Sequence, residues 1–486
     1  MSPVRPRAAR SLAATLGIGA LVALLVVGGG TAPSARAQLG GDLCLSASPP
    51  APDRPPQRLR FGITPLAAGS AGVSQGQPKP ENQAAALAEL RRLRPGRRQL
   101  LLRLNRMLMS EGEAGVRRYA ALVDGYARAG LDSELQVRYH PAAGQEGDMP
   151  AWTRYVETAV SILGKRPSVK ALTITNEANF PISPNTSDGS YAGVRQAIVT
   201  GVIAARHALD RMGRPDVQLG FSFAWRWAPN SDVEFWRELG SLASPAFRKA
   251  LDYVGLQIYP GLVFPPVSTP GAAGDDTLEA LTLLRDCYMP KAGLGRDVDL
   301  WVTENGYATN LGRTEQDQDV GLRSTLDAIY RESATLGVTD YRWFNLRDND
   351  SAGADLFDAV GLLRDDYSEK PAFATYRSLI DQIGTDRPKP THCGKRVATL
   401  VGSPGPDRIR GSIGPDVIAT GAGADRIKGG AGTDRICAGA GPDSIKGGRG
   451  KDLLVGGKGP DRIRGGRGHD RCPGVGRKDR ARSCRT

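Results

Sequence analysis

The chain has 486 residues, 40% of them hydrophobic and 24% charged, with a net charge of +13. That length is too great for one small core and implies two or three units. The charge is uneven: residues 394–486 hold 20 Lys and Arg against 9 Asp. This segment lacks the aromatic side chains that stack on bases, which excludes nucleic acid as its partner; an anionic cell wall or polysaccharide surface suits it better.

In chain order, Arg5, Arg7 and Arg10 precede a short apolar run at 16–27 and the small-residue site Ala35-Arg36-Ala37. This is the pattern of a signal peptide over residues 1–37. The run is short and broken by glycine, which favours cleavage over a retained anchor. No later stretch is apolar enough to span a bilayer, so the protein is expected to be secreted, with cell-surface association through its basic end. Cys44, Cys287, Cys393, Cys437, Cys472 and Cys484 all follow residue 37. An even count in an oxidising compartment predicts disulfides, and the lack of C-x-x-C spacing argues against zinc. Cys472 with Cys484, close in the chain, and Cys44 with Cys287 are the two pairings expected.

A Pro-rich linker is expected over 38–57. From 58 to 383, strand-like runs alternate with helical ones. The strands are expected at 59–63, 99–104, 134–139, 171–175, 217–223, 253–258, 299–303 and 339–344, and the intervening segments have one apolar face at helical spacing. Eight such units predict an α/β fold, a (β/α)8 TIM barrel. A doubly wound open sheet is the alternative, but no Gly-rich phosphate loop follows the first strand. Two strands end on a carboxylate. "LTITNEANF" passes from a buried-strand pattern to Asn176 and Glu177, and "VDLWVTENGY" ends on Glu304. One such polar residue is what a cap or turn also supplies. Two glutamates at the ends of strands four and seven, where barrel enzymes keep their chemistry, supply the acid and the nucleophile of glycoside hydrolysis.

With Asn-Glu after strand four and Glu after strand seven, residues 58–383 resemble clan A of the retaining glycoside hydrolases. The resemblance implies that Glu177 is the acid/base, Glu304 the nucleophile and Asn176 the amide for the sugar 2-hydroxyl. It further implies substrate-side roles for Arg103 on strand two, His140 after strand three, Tyr259 after strand six and Trp343 on strand eight. Trp225 and Trp227 in "FAWRW" suit sugar stacking or the core. Gln257 stands where many relatives carry His, and "NEAN" replaces "NEP". Catalysis of this kind needs no cofactor.

After a linker over 384–401, eight nonapeptides run in unbroken register over 402–473, followed by a basic tail at 474–486. Position four is always Gly. Position six is always Asp: Asp407, Asp416, Asp425, Asp434, Asp443, Asp452, Asp461 and Asp470. Position eight is Ile, Leu or Cys. The pattern resembles the RTX, or haemolysin-type, calcium-binding repeat, and so implies a Gly/Asp-rich parallel β-roll with structural Ca²⁺ held by those Asp residues. It departs in lacking Asn or Asp at position five and in placing Arg or Lys beside many of the Asp residues. A metal-free Gly-rich solenoid is the alternative. The function expected is a secreted retaining glycosidase acting on poly- or oligosaccharide. The alternatives are an inactive carbohydrate-binding barrel and a calcium-dependent surface or adhesion protein.

Overall fold

A computed structural model describes Cys44 and residues 55–67, 78–96, 98–181, 185–225, 232–261, 269–386, 392–398, 400–402, 405–411 and 414–485. The expected signal peptide, most of the Pro-rich linker and Trp227 lie outside the described residues. Eight parallel strands close into a barrel in chain order: β1 (Arg60–Thr64), β2 (Leu100–Leu108), β3 (Asp132–Arg138), β4 (Val169–Ile174), β5 (Gln218–Ala224), β6 (Tyr253–Ile258), β7 (Asp299–Asn305) and β8 (Val338–Phe344). β8 returns to β1 with Tyr341 opposite Phe61. All eight strands read from the sequence are present; β6 has the expected bounds and the other seven have shifted ends. β2 extends furthest beyond expectation, running past a bulge between Leu104 and Met107 to Leu108.

The outward faces of the strands bury aliphatic and aromatic residues under the helices. The interior is different: it is polar and paired. Arg342 donates through Nε to Glu134 at 2.9 Å and through Nη2 to Asp340 at 2.7 Å. Arg103 donates to the other oxygen of Glu134. Charges persist at such depth because each has partners that offset its desolvation. Beside them Tyr253 stacks on Trp301, centroids 3.5 Å apart. Two glycines make the room. A Cβ at Gly62 would lie 2.3 Å from Arg342 Cδ, and one at Gly220 would lie 2.4 Å from the Tyr253 ring.

Beyond residue 400 the repeats wind into a roll of two parallel sheets, in which strands 18 residues apart are neighbours. The position-eight residues form its core in two rows, one from each sheet: Ile409, Ile427, Ile445 and Ile463, and Ile418, Ile436, Leu454 and Cys472. Glycines at positions two and four take left-handed φ; at Gly439, φ is 113° and a Cβ would lie 1.9 Å from Gly421 O. One sheet continues past residue 473, where Arg480–Arg482 pairs with Arg462–Arg467, so the segment read as a basic tail adds a strand. Three disulfides form: Cys44–Cys287 and Cys472–Cys484, both expected, and Cys393–Cys437, which ties the preceding hairpin to the roll.

Candidate active site

β4 stops at Ile174 because its backbone turns sharply. Thr175 and Glu177 adopt φ of 69° and 43°. A β-branched residue in that region is strained, typically by ~1–3 kcal/mol, and needs surrounding structure to hold it. Asp188 provides much of that hold. Its Oδ2 accepts from the amides of Asn176 (2.8 Å) and Tyr139 (2.9 Å), its Oδ1 accepts from Arg138 Nε (2.9 Å), and its own amide donates to Asn176 O. Asn179 adds a clamp to β5, donating to Ala224 O and accepting from Ala224 N–H, both at 2.8 Å. This is what the second Asn of "NEAN" does.

Glu304 lies in β7, three strands on, with Gln257 as its partner across the sheet and its neighbour Asn305 opposite Trp343. The carboxylate is buried and doubly held. Arg103 Nε donates to Oε1 at 3.1 Å, and the Tyr259 hydroxyl donates to Oε2 at 2.8 Å. Burial, reinforced by the Glu304 charge, keeps the Tyr259 phenol protonated as a donor. Burial pushes Glu134 up, but Arg103 and Arg342 outweigh it and hold the group below the usual carboxylate range. Arg103 therefore links two carboxylates, one structural and one at the barrel mouth.

Glu177 has the opposite environment. Burial first, and the Glu304 charge second, raise its carboxyl to about 8. Its amide donates to Ser222 Oγ at 3.2 Å. The two glutamates thus differ in their surroundings: Glu304 accepts from two donors, while Glu177 is held protonated near neutrality.

Asn176, the residue before Glu177, is buried and held through its side chain. Its Oδ1 accepts from Gln257 Nε2 at 2.7 Å and from Gln136 Nε2 at 2.6 Å, and its Nδ2 donates to Thr186 O at 2.6 Å. Gln257, the residue found in place of His, thus serves as a donor to this amide. Trp343 is buried on β8 and donates to Val360 O at 3.2 Å. His140 pairs with Ser110 Oγ at 3.0 Å and packs edge-on to Tyr191; burial and then Arg138 lower its pKa. Trp225 packs in the hydrophobic core beside Tyr288. The structure therefore joins Arg103, Glu304 and Tyr259 in one network, sets Asn176 on Gln257, the residue opposite Glu304, and leaves His140 and Trp225 on the margins.

Sequence reasoning missed Glu134, Gln136, Arg138 and Asp188. The first three carried a signal: they alternate with Leu135 and Val137 along β3, the mark of a strand with one polar face turned inward. Asp188 sits in a loop and carried none.

In the roll, each Asp reaches across one coil. Asp425 Oδ1 accepts from Asp407 N–H at 2.9 Å, and the pattern repeats to Asp470, which accepts from Asp452 N–H at 3.0 Å, and Asp479, which accepts from Asp461 N–H at 3.0 Å. The second oxygens of Asp425, Asp434, Asp443, Asp452, Asp461 and Asp470 are buried without a hydrogen-bond partner. Buried anionic oxygens of this kind fit a hard cation. Among the described residues no three acidic groups cluster closely enough to hold a metal, so backbone carbonyls would complete any coordination shell.

The family model described as the RTX calcium-binding nonapeptide repeat matches residues 401–436, 410–445 and 438–472. The C-terminal segment thus carries RTX repeats. No curated protein matches the chain in sequence. Among solved structures, the chain is similar to a β-glucosidase from Thermotoga maritima in complex with castanospermine, at 14% identity over 68% of this chain and 99% of that one, TM-score 0.45. A family 1 β-glucosidase from the same organism gives 14%, 68%, 99% and 0.44. A β-glycosidase gives 15%, 69%, 99% and 0.46. The molecule is thus a (β/α)8 barrel followed by a β-roll built on RTX repeats.

Proposed function

We propose that the chain is a secreted retaining glycosidase that cleaves O-glycosidic bonds, with a calcium-binding roll. The observation that carries this reading is the split between the two mouth carboxyls: Glu304 is held by Arg103 and Tyr259, while Glu177 is raised to about 8. Glu304 attacks the anomeric carbon while Glu177 delivers its proton to the departing oxygen. The glycosyl ester on Glu304 removes the like charge that adds to burial in raising Glu177, so the pKa of Glu177 falls and it becomes the base that activates water. Arg103 and Tyr259 orient Glu304 and stabilise it as leaving group in the second step. Asn176, held by Gln257 and Thr186, has a second N–H to offer a sugar hydroxyl. His140, Trp343 and Trp225 remain candidates for the walls of the sugar subsites.

In the roll, Asp407, Asp416, Asp425, Asp434, Asp443, Asp452, Asp461 and Asp470 with backbone carbonyls would hold Ca²⁺, which neutralises their stacked charges. The test of the catalytic reading is kinetic. Glu304→Ala should abolish turnover of every glycoside in a broad panel. Glu177→Ala should spare the first step on substrates with good leaving groups, and azide should restore turnover. Near-normal activity of Glu304→Ala would refute the assignment.

A further inference from the structure

The odd and even repeats differ beside position eight. The odd ones read Arg-Ile-Arg at 408–410, Arg-Ile-Lys at 426–428, Ser-Ile-Lys at 444–446 and Arg-Ile-Arg at 462–464, and Arg480–Arg482 continues as Arg-Ala-Arg. The even ones read Val-Ile-Ala at 417–419, Arg-Ile-Cys at 435–437, Leu-Leu-Val at 453–455 and Arg-Cys-Pro at 471–473. One coil takes two repeats, so each class forms its own sheet. Strand register then aligns Arg408, Arg426, Ser444, Arg462 and Arg480 in one row and Arg410, Lys428, Lys446, Arg464 and Arg482 in a second. Nine of these ten residues are cations, and all ten are exposed. Among the described residues none of the nine is ion-paired; the ion pairs lie in the barrel. The eight flanking positions of the even repeats hold two cations, Arg435 and Arg471, and Arg485 continues that row.

We propose that this face binds a carboxylate-bearing polysaccharide laid along the roll axis. The rows advance by one strand spacing, about 4.8 Å per step. A uronate chain offers one carboxylate per ring, and a ring is about as long as that step. Seven of the nine cations are Arg, whose planar fork binds carboxylate bidentately. Residues 394–486 contain no Phe, Tyr or Trp, so the face has nothing on which bases could stack.

The face is separate from the mouth glutamates. The roll meets the barrel at Gly213, just past the helix Val194–Met212, where a Cβ would lie 2.8 Å from Arg410 N. In a (β/α)8 barrel, helix C-termini lie at the end opposite the strand C-termini, hence away from Glu177 and Glu304. A cleft of about 1120 Å³ there joins Arg410, Lys428 and Lys446 to Lys165 and Arg211 of the barrel. The array holds polymer beside the barrel without threading it through the mouth, and its binding does not depend on the barrel's chemistry.

The test measures binding of a short oligogalacturonate to the full chain at fixed calcium. Replacing Arg410, Lys428, Lys446, Arg464 and Arg482 by Ser should weaken binding at least tenfold. Replacing five exposed barrel cations, Arg91, Arg117, Arg118, Arg128 and Arg154, by Ser removes the same charge and should change it less than twofold. A third variant, Arg410→Lys with Arg464→Lys and Arg482→Lys, keeps charge and strand propensity and should lose affinity severalfold. Equal losses in the two Ser variants, unchanged affinity in the Lys variant, or equally tight binding of single-stranded DNA through the same residues would each overturn the proposal. A chain inactive on every glycoside that still shows this pattern would sink the glycosidase reading and leave the binding face standing.

Discussion

Glu177 and Glu304 owe their difference to neighbours and not to residue type. Two donors stabilise the Glu304 anion, whereas Glu177 has burial and a like charge against it. A general acid works only while protonated, so kcat/KM should fall as pH rises through about 8, the value to which Glu177 is raised. Glu177→Gln should remove that limb from the pH profile of an activated substrate; a limb that stays in place would assign it to another group. Tyr259→Phe deletes one of the two donors to Glu304 and should lower kcat by roughly 10²-fold, in the range seen for single oriented donors, with KM little changed. A loss confined to KM would make Tyr259 a binding residue instead.

At the scale of elements, the turn after β4 is the fragile part. Asp188→Ala would strip the buried Arg138 of its carboxylate partner and the Asn176 and Tyr139 amides of their acceptor. Breaking one side of a buried pair costs about 3–5 kcal/mol, so the barrel's melting midpoint should drop by several degrees and activity should fall with it. Unchanged stability would mean the turn is held by other contacts. These elements also mark where the sequence was legible. Alternating apolar strands and amphipathic helices read cleanly, because each strand buries its outer face under a helix. The barrel's interior was less visible, since Arg103, Glu134 and Arg342 look like surface residues until the closed sheet brings them together. Glu304 and Tyr259 could be picked out from strand ends, while Asp188 could not, because its role depends on a loop path that local patterning does not encode.

For the whole molecule, the roll and the barrel should answer differently to pH and calcium. Without the cation, burial raises Asp434 and Asp443 to about 6, above the usual carboxylate range. The folded roll then binds protons that the unfolded chain releases between about pH 4 and 6, so its stability should fall as pH rises through that window. Calcium competes with those protons and should reverse the trend. Amide hydrogen exchange in the full chain reads this locally: peptides covering 420–470 should be better protected at pH 5 than at pH 7.5 in chelator, and better protected at pH 7.5 once calcium is added. Barrel peptides should not respond to calcium. Protection indifferent to calcium would favour a metal-free solenoid. The nonapeptide register was plain in the sequence, but its division into a strongly cationic sheet and one with fewer cations emerged only when the 18-residue coil separated odd repeats from even.

The central claim is that Glu304 forms the covalent intermediate. The most direct measurement is trapping with a panel of activated 2-deoxy-2-fluoro glycosides, followed by peptide mass spectrometry. The account predicts a fluoroglycosyl adduct on the peptide containing Glu304, its absence in Glu304→Ala, and product of retained anomeric configuration. An adduct on a different carboxylate, or hydrolysis by the wild type with inverted product, would contradict it.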